Sequence, residues 1–215
     1  ADNAPLPLKP LLYLDVLKLK YWEQNLWKKA TKLVAVSKRD KEIMNKIRKD
    51  VVIVSNGVDI NKFKIQNSKF KVDGEKRVLF IGEFKWVQNR DAIEWIIEEI
   101  WPHFVRLWRT SRGKPKIKLW VVGRSIPDEI RKLTNDKDIV FDENAPDKTE
   151  LIYQRSDVLL APIRVGGGTS FKILEAMASG IPVLTTPLGN AIDAKEDLEI
   201  VIANDSDGFV QKIRE

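Results

Sequence analysis

Residues 166–186 read GGGTSFKILEAMASGIPVLTT: three consecutive glycines, a helix-length run that is almost entirely apolar, and a short strand-like run. Bare glycine backbone lets an anion approach the free N–H groups that open a helix, and the aligned peptide dipoles favour negative charge there. The segment therefore reads as an anion-binding helix start, with phosphate as the expected anion. No Gly-Lys-Ser/Thr closes the loop, and Phe171 stands where a GxGxxG pattern needs its last glycine, so neither a P-loop nor a dinucleotide fingerprint is present.

Within 171–179 the only polar side chains are Lys172, Glu175 and Ser179, spaced i, i+3, i+7 and so on one helical face. Lys172 falls in the first turn, where its charge opposes the helix dipole and an anion partner would repair the mismatch. Glu175, one turn on, suits two sugar hydroxyls beyond the phosphates better than the phosphates themselves, so the expected ligand is a nucleotide. The plainer reading makes the three residues the solvated stripe of a buried helix, with a Lys/Glu pair worth roughly 0.3 kcal/mol.

Strand-like runs recur at 32–37, 51–54, 77–82, 117–122, 139–141, 158–161, 182–185 and 199–202, with helical stretches between most neighbours. That alternation predicts an α/β fold, a Rossmann-like parallel sheet with helices on both faces. Ligands in such sheets lie beyond the carboxyl ends of the strands, where Gly82, Gly123 and the loop 164–169 should emerge together. A helix over 91–108 places Ile93, Ile96, Ile97, Ile100, Phe104 and Leu107 on one face, with Pro102 expected to kink it. Residues 61–75 are polar and linker-like, and 1–60 read as the closing elements of an earlier unit, which divides the chain into 1–60 and 61–215.

Two hundred and fifteen residues suffice for one good core. The absence of cysteine excludes disulfides and thiolate chemistry and permits a cytoplasmic location. Thirty-seven Lys and Arg against 31 Asp and Glu give +6, but the basic residues are scattered from Lys9 to Arg214, so no nucleic acid partner is expected. No apolar run reaches the roughly 18 residues of a membrane span. The lone histidine, His103, reads as structural. Asp136-Lys137-Asp138 and Asp205-Ser206-Asp207 imitate a metal-binding DxD pattern but read as a surface loop and a helix N-cap, so no metal is expected.

Four stretches, KLVAVSKRDKEIM, VSNGVDINKF, VLFIGEFKWVQNRDAIEWIIEEIWP and SDVLLAPIRVGGGTSFKILEAMASGIPVLTT, together resemble the family 4 retaining glycosyltransferases (glycosyl transferases group 1), specifically their C-terminal nucleotide-sugar-binding domain. The resemblance implies the C-terminal half of a GT-B architecture. Residues 61–215 would be the donor domain, and 1–60 the last elements of an N-terminal acceptor domain that is mostly missing. Carried over by position, Glu175 matches the carboxylate for the donor ribose, while Gly167, Gly168, Thr169 and Ser170 occupy the loop beside diphosphate and sugar; Gly82 and Gly166 complete the expected donor site. Three positions depart from the pattern: Gly167 replaces a glutamate near the donor sugar, and Glu83 and Gln88 replace the family's Arg and Lys after the domain's first strand. Lys85 and Lys172 are the candidates for the missing positive charge, which would stabilise the leaving diphosphate without a metal.

The resemblance thus implies transfer of a sugar, with retention, from a nucleoside diphosphate sugar to a carbohydrate or lipid-linked acceptor. No cofactor is expected, the location is cytoplasmic or at the inner membrane face with peripheral contact, and the 215 residues alone should be inactive. The alternatives are a non-catalytic nucleotide-binding module and a nucleotide-sugar 2-epimerase of the same fold, although the epimerase site is richer in histidine than this chain allows.

Overall fold

The computed structural model describes residues 9–64, 74–109, 116–145 and 148–214. Two compact units are present, Ala1–Asn56 and Gly57–Glu215. The first holds α1 (Lys9–Lys29), β1 (Leu33–Ala35), α2 (Lys38–Met44) and β2 (Val51–Ile53). β1 and β2 pair in parallel, Leu33 opposite Val51, and α2 starts at a Ser37 cap whose hydroxyl accepts from the Asp40 N–H at 3.1 Å.

The second unit holds α3 (Ile60–Phe63), β3 (Glu75–Ile81), α4 (Val87–Trp95), a π turn (Ile96–Ile100), α5 (Trp101–Arg109), β4 (Lys116–Val122), α6 (Asp128–Lys132), β5 (Ile139–Asp142), α7 (Thr149–Gln154), β6 (Val158–Ala161), α8 (Phe171–Ala178), β7 (Val183–Thr185), β8 (Val201–Ile202) and α9 (Ser206–Arg214). Strands β3–β8 form one parallel sheet in the order β5-β4-β3-β6-β7-β8. Successive strand residues point to opposite faces, and both faces are covered, so β3 and β4 become continuously apolar from Val78 and Leu119 onward. Val78, Phe80, Leu119, Val121, Leu160 and Leu184 pack with α4, α5, α6 and α9, whereas Leu79, Trp120, Val122, Leu159, Ala161 and Val183 pack with α3, α7 and α8. The expected α/β, Rossmann-like parallel sheet with helices on both faces is therefore what the chain forms.

Two sequence expectations are corrected. Residues 61–63 are not linker: Asp59 caps α3, and Phe63, only 3% exposed, packs edge-on to Tyr153 in the core; residues 65–73 of the same stretch lie outside the described residues. The helix over 91–108 also fails to keep one phase. The wide turn at Ile96–Ile100, just before Pro102, takes up the carbonyl that a proline ring would strike and inserts one residue into the repeat. Beyond it, the buried positions become Trp101, Phe104 and Val105, and Leu107 turns outward at 37% exposure.

Candidate functional site

From β3 the strand order runs outward one way through β4 and β5 and the other way through β6, β7 and β8, so the topological switch point lies between β3 and β6. The loops leaving these two strands diverge and open a crevice at their carboxyl ends. One wall starts at Gly82 and enters α4; the other is the loop 162–170, which enters α8.

Backbones crowd at the floor of this crevice. A Cβ on Gly123 would stand 1.8 Å from the Gly82 carbonyl oxygen, and a Cβ on Gly82 would stand 2.7 Å from the Asn89 Cγ. Asn89, 9% exposed in the first turn of α4, donates from Nδ2 to the Glu83 carbonyl at 2.8 Å and accepts at Oδ1 from Lys172 Nζ at 2.7 Å. The Lys172 ammonium also lies 5.0 Å from the centre of the Phe80 ring. Burial pushes it down from 10.5 to about 8.

In the facing loop Gly166 and Gly168 have φ of 109° and 77°, values that side-chain-bearing residues rarely adopt. The turn presents its backbone to a hollow of about 180 Å³ bounded by Gln88, Asn89, Gly166–Ser170, Lys172 and Leu188. Ser170 stands at the N-cap of α8 without a side-chain cap bond, and the enclosed Thr169 hydroxyl has no hydrogen-bond partner among the described residues. A helix start, an orphaned hydroxyl and a buried ammonium thus converge on one small hollow. A larger one, about 610 Å³, follows along the β3–β5 ends, lined by Gly82, Glu83, Gly123, Arg124, Asp142–Ala145, Thr149 and Ile152.

The candidate residues divide by position. Gly166, Gly167, Gly168, Thr169, Ser170 and Lys172 meet at the small hollow, and Gly82 lines the large one. Glu175 lines neither; its Oε2 lies 2.9 Å from the Tyr153 hydroxyl, which is also 3.3 Å from the Lys172 carbonyl. Burial, and then the Glu175 carboxylate, hold that phenol protonated well above its usual range. Lys85 also lines neither: it is exposed, pairs with Glu83 at 2.6 Å and lies over the Trp86 ring. Ser179 is buried and donates to the Glu175 carbonyl at 2.8 Å, so the polar face of α8 is not a solvated stripe.

Away from the crevice, Asp136 and Asp138 both pair with Arg109, and Asp205 accepts the Gly208 N–H at the start of α9. His103 is exposed on α5, 3.9 Å from Asp207. A separate cavity of about 400 Å³ lies at the opposite, amino end of the strands, between Lys76–Val78 and Lys212–Arg214, remote from the crevice loops. No helix among the described residues is long and apolar enough to cross a membrane.

Asn89, Phe80 and Tyr153 were missed by sequence reasoning. Asn89 lies 83 residues before Lys172, and only the pairing of the β3 and β6 ends brings them together.

Known proteins share this fold. An uncharacterized 44.6 kDa protein in the cps region of Klebsiella pneumoniae is 25% identical over 226 residues, covering 99% of this chain and 54% of its own length. HepE of Anabaena, solved in complex with UDP and glucose, superposes with a TM-score of 0.66 at 15% identity, over 86% of this chain and 53% of that one. Sucrose-phosphate synthase from Thermosynechococcus elongatus superposes with a TM-score of 0.69 at 16% identity, over 89% and 50%. The chain thus spans about half the length of these relatives. The family model described as glycosyl transferases group 1 matches residues 75–215. With the whole sheet, the glycine loop and α8 inside that match, the chain belongs to the glycosyl transferases group 1 family.

Proposed function

We propose that the chain supplies the donor site of a retaining family 4 glycosyltransferase, its second unit being the C-terminal half of a GT-B enzyme. The sugar passes from a nucleoside diphosphate sugar to a carbohydrate or lipid-linked acceptor. The observation that carries this reading is the buried Lys172 ammonium, held by a neutral amide at the mouth of an uncapped helix start and paired with no carboxylate among the described residues. The diphosphate fits the small hollow against the Gly166–Ser170 backbone, and the nucleoside extends into the larger one. Glu175 takes the ribose hydroxyls once its carboxylate turns from Tyr153.

When the bond from the sugar C1 to the diphosphate oxygen breaks, negative charge grows on the departing phosphate. The fixed N–H groups of α8 and the Lys172 ammonium lie where they stabilise it. No metal and no cofactor enter this reading. Acceptor groups belong to the remainder of the enzyme, so the 215 residues bind donor without turnover. A cytoplasmic setting, at the membrane face where the acceptor is lipid-linked, suits such a reaction.

Calorimetric titration with UDP, GDP and ADP in EDTA tests the site. One of the three is expected to bind in the micromolar to millimolar range, UDP first, since HepE was solved with it. Binding of none, or equal binding by Lys172→Met, overturns the assignment. Comparing the anomeric configuration of donor and product in the full-length enzyme tests retention.

A further inference from the structure

The Arg and Lys found after the first strand in the resembled family are replaced here by Glu83 and Gln88. The space beside that loop is filled from the other wall, because Lys172 reaches across the switch point to the α4 start. Resting on the donor-site reading, we propose that Asn89 is the positioning residue for Lys172: its carboxamide, locked by the Glu83 carbonyl and the bare face of Gly82, holds the ammonium at the glycine loop to meet the diphosphate.

The lock has one orientation. Nδ2 is committed to the Glu83 carbonyl at 2.8 Å, so Oδ1 must face the lysine; a flipped amide would set two N–H donors against an ammonium. Gly82 makes the fit possible, since any side chain there would drive into the Asn89 carboxamide. The carboxylates that neighbouring elements bring near are engaged elsewhere: Glu83 with Lys85, Asp91 with Arg164, Glu175 with the Tyr153 hydroxyl. Arg90 is exposed, and Lys85 and Arg164 are the cations in those pairs. None of these charges moves the Lys172 ammonium, which is lowered by burial alone. A neutral acceptor holds the cation in place without neutralising it, and so leaves its charge to the ligand. An aspartate at the same position would neutralise it.

The test reads Lys172 directly and without ligand, through the pH titration of its Cε signal in NMR, assigned by its loss in Lys172→Met. Asn89→Ala removes an acceptor that favours the charged form, so the inflection should fall by about one pH unit. Asn89→Asp should raise it by about one pH unit or more. Both should weaken UDP binding at pH 7.5 by about tenfold, Ala through a misplaced ammonium and Asp through its own charge. Gly82→Ala, which displaces the carboxamide without deleting it, should shift the inflection in the same direction as Asn89→Ala, and it serves if Asn89→Ala does not fold. An unchanged inflection in Asn89→Asp and Gly82→Ala, whatever happens to the melting temperature, overturns the proposal and leaves Asn89 a mere closure of the β3–α4 loop. Failure of the wild-type chain to bind any of UDP, GDP and ADP would instead sink the donor-site reading, while the ligand-free titration still decides whether Asn89 holds the lysine.

Discussion

Lys172→Met should make the protein more stable and abolish its ligand binding. The substitution replaces a buried cation by an apolar side chain of similar reach. The fall of the Lys172 ammonium from 10.5 to about 8 corresponds to about 3 kcal/mol spent on keeping it charged in the folded chain. Loss of the bond to Asn89 Oδ1 leaves that oxygen without its donor and takes back about 1 kcal/mol. Lys172 also keeps partial exposure, so the net gain expected at pH 7 is about 1–2 kcal/mol.

The sign follows from proton linkage. Below about pH 8 the lysine is charged in both states, and the folded chain carries the full penalty. Between about 8 and 10.5 the unfolded chain keeps a proton that the folded chain has released, so wild-type stability from this group rises with pH. The advantage of the methionine variant should therefore be greatest at pH 7 and shrink as pH approaches 10.5. Urea unfolding followed by tryptophan fluorescence at pH 7 and pH 10, with UDP calorimetry at pH 7, measures both effects. A variant less stable than wild type at pH 7, or an advantage of equal size at both pH values, would refute the picture of an uncompensated cation waiting for an anion.

Glycine substitutions should separate packing from binding. Gly123→Ala forces a Cβ to 1.8 Å from the Gly82 carbonyl oxygen and 2.8 Å from the Phe84 ring, and should cost about 3 kcal/mol or prevent folding. Gly167→Ala meets nothing within 4 Å and should leave the urea midpoint within about 0.5 kcal/mol of wild type. Glu175→Ala should weaken UDP about tenfold while leaving inorganic pyrophosphate unaffected, as competition calorimetry would show; equal weakening of both would remove the carboxylate from the ribose. Tyr153→Phe deletes a buried hydroxyl shared by Glu175 and the Lys172 carbonyl and should lower stability by about 1 kcal/mol in the same urea assay.

Short-range signals in the sequence carried most of the fold. Strand β6 matches its apolar run at both ends, β4 begins one residue before its own, and the alternation of runs and helices implied the parallel sheet. Phe63 was hidden because one buried aromatic inside a polar stretch has no periodicity to announce it. The outward turn of Leu107 was hidden because a fixed repeat of 3.6 cannot register the extra residue of a π turn. At the site, the glycine loop and Lys172 were legible from their own neighbours in sequence. Asn89 was not, since its part depends on a register between strands that no local pattern encodes.

Three sources of positive potential meet at the switch point: the start of α8, the start of α4 and the Lys172 ammonium. Neither helix start has a side-chain cap, and the ammonium donates its hydrogen bond to a neutral amide oxygen. A monoanion would leave part of this field unbalanced, whereas a diphosphate brings two charged groups at the spacing of adjacent phosphates to a loop of bare glycine backbone. The lysine faces the helix dipole at a cost to folding that an asparagine cannot remove and an aspartate could. The choice of the neutral residue keeps the field for the ligand, and it is the physical reason to read stability given up at Lys172 as binding capacity held in reserve.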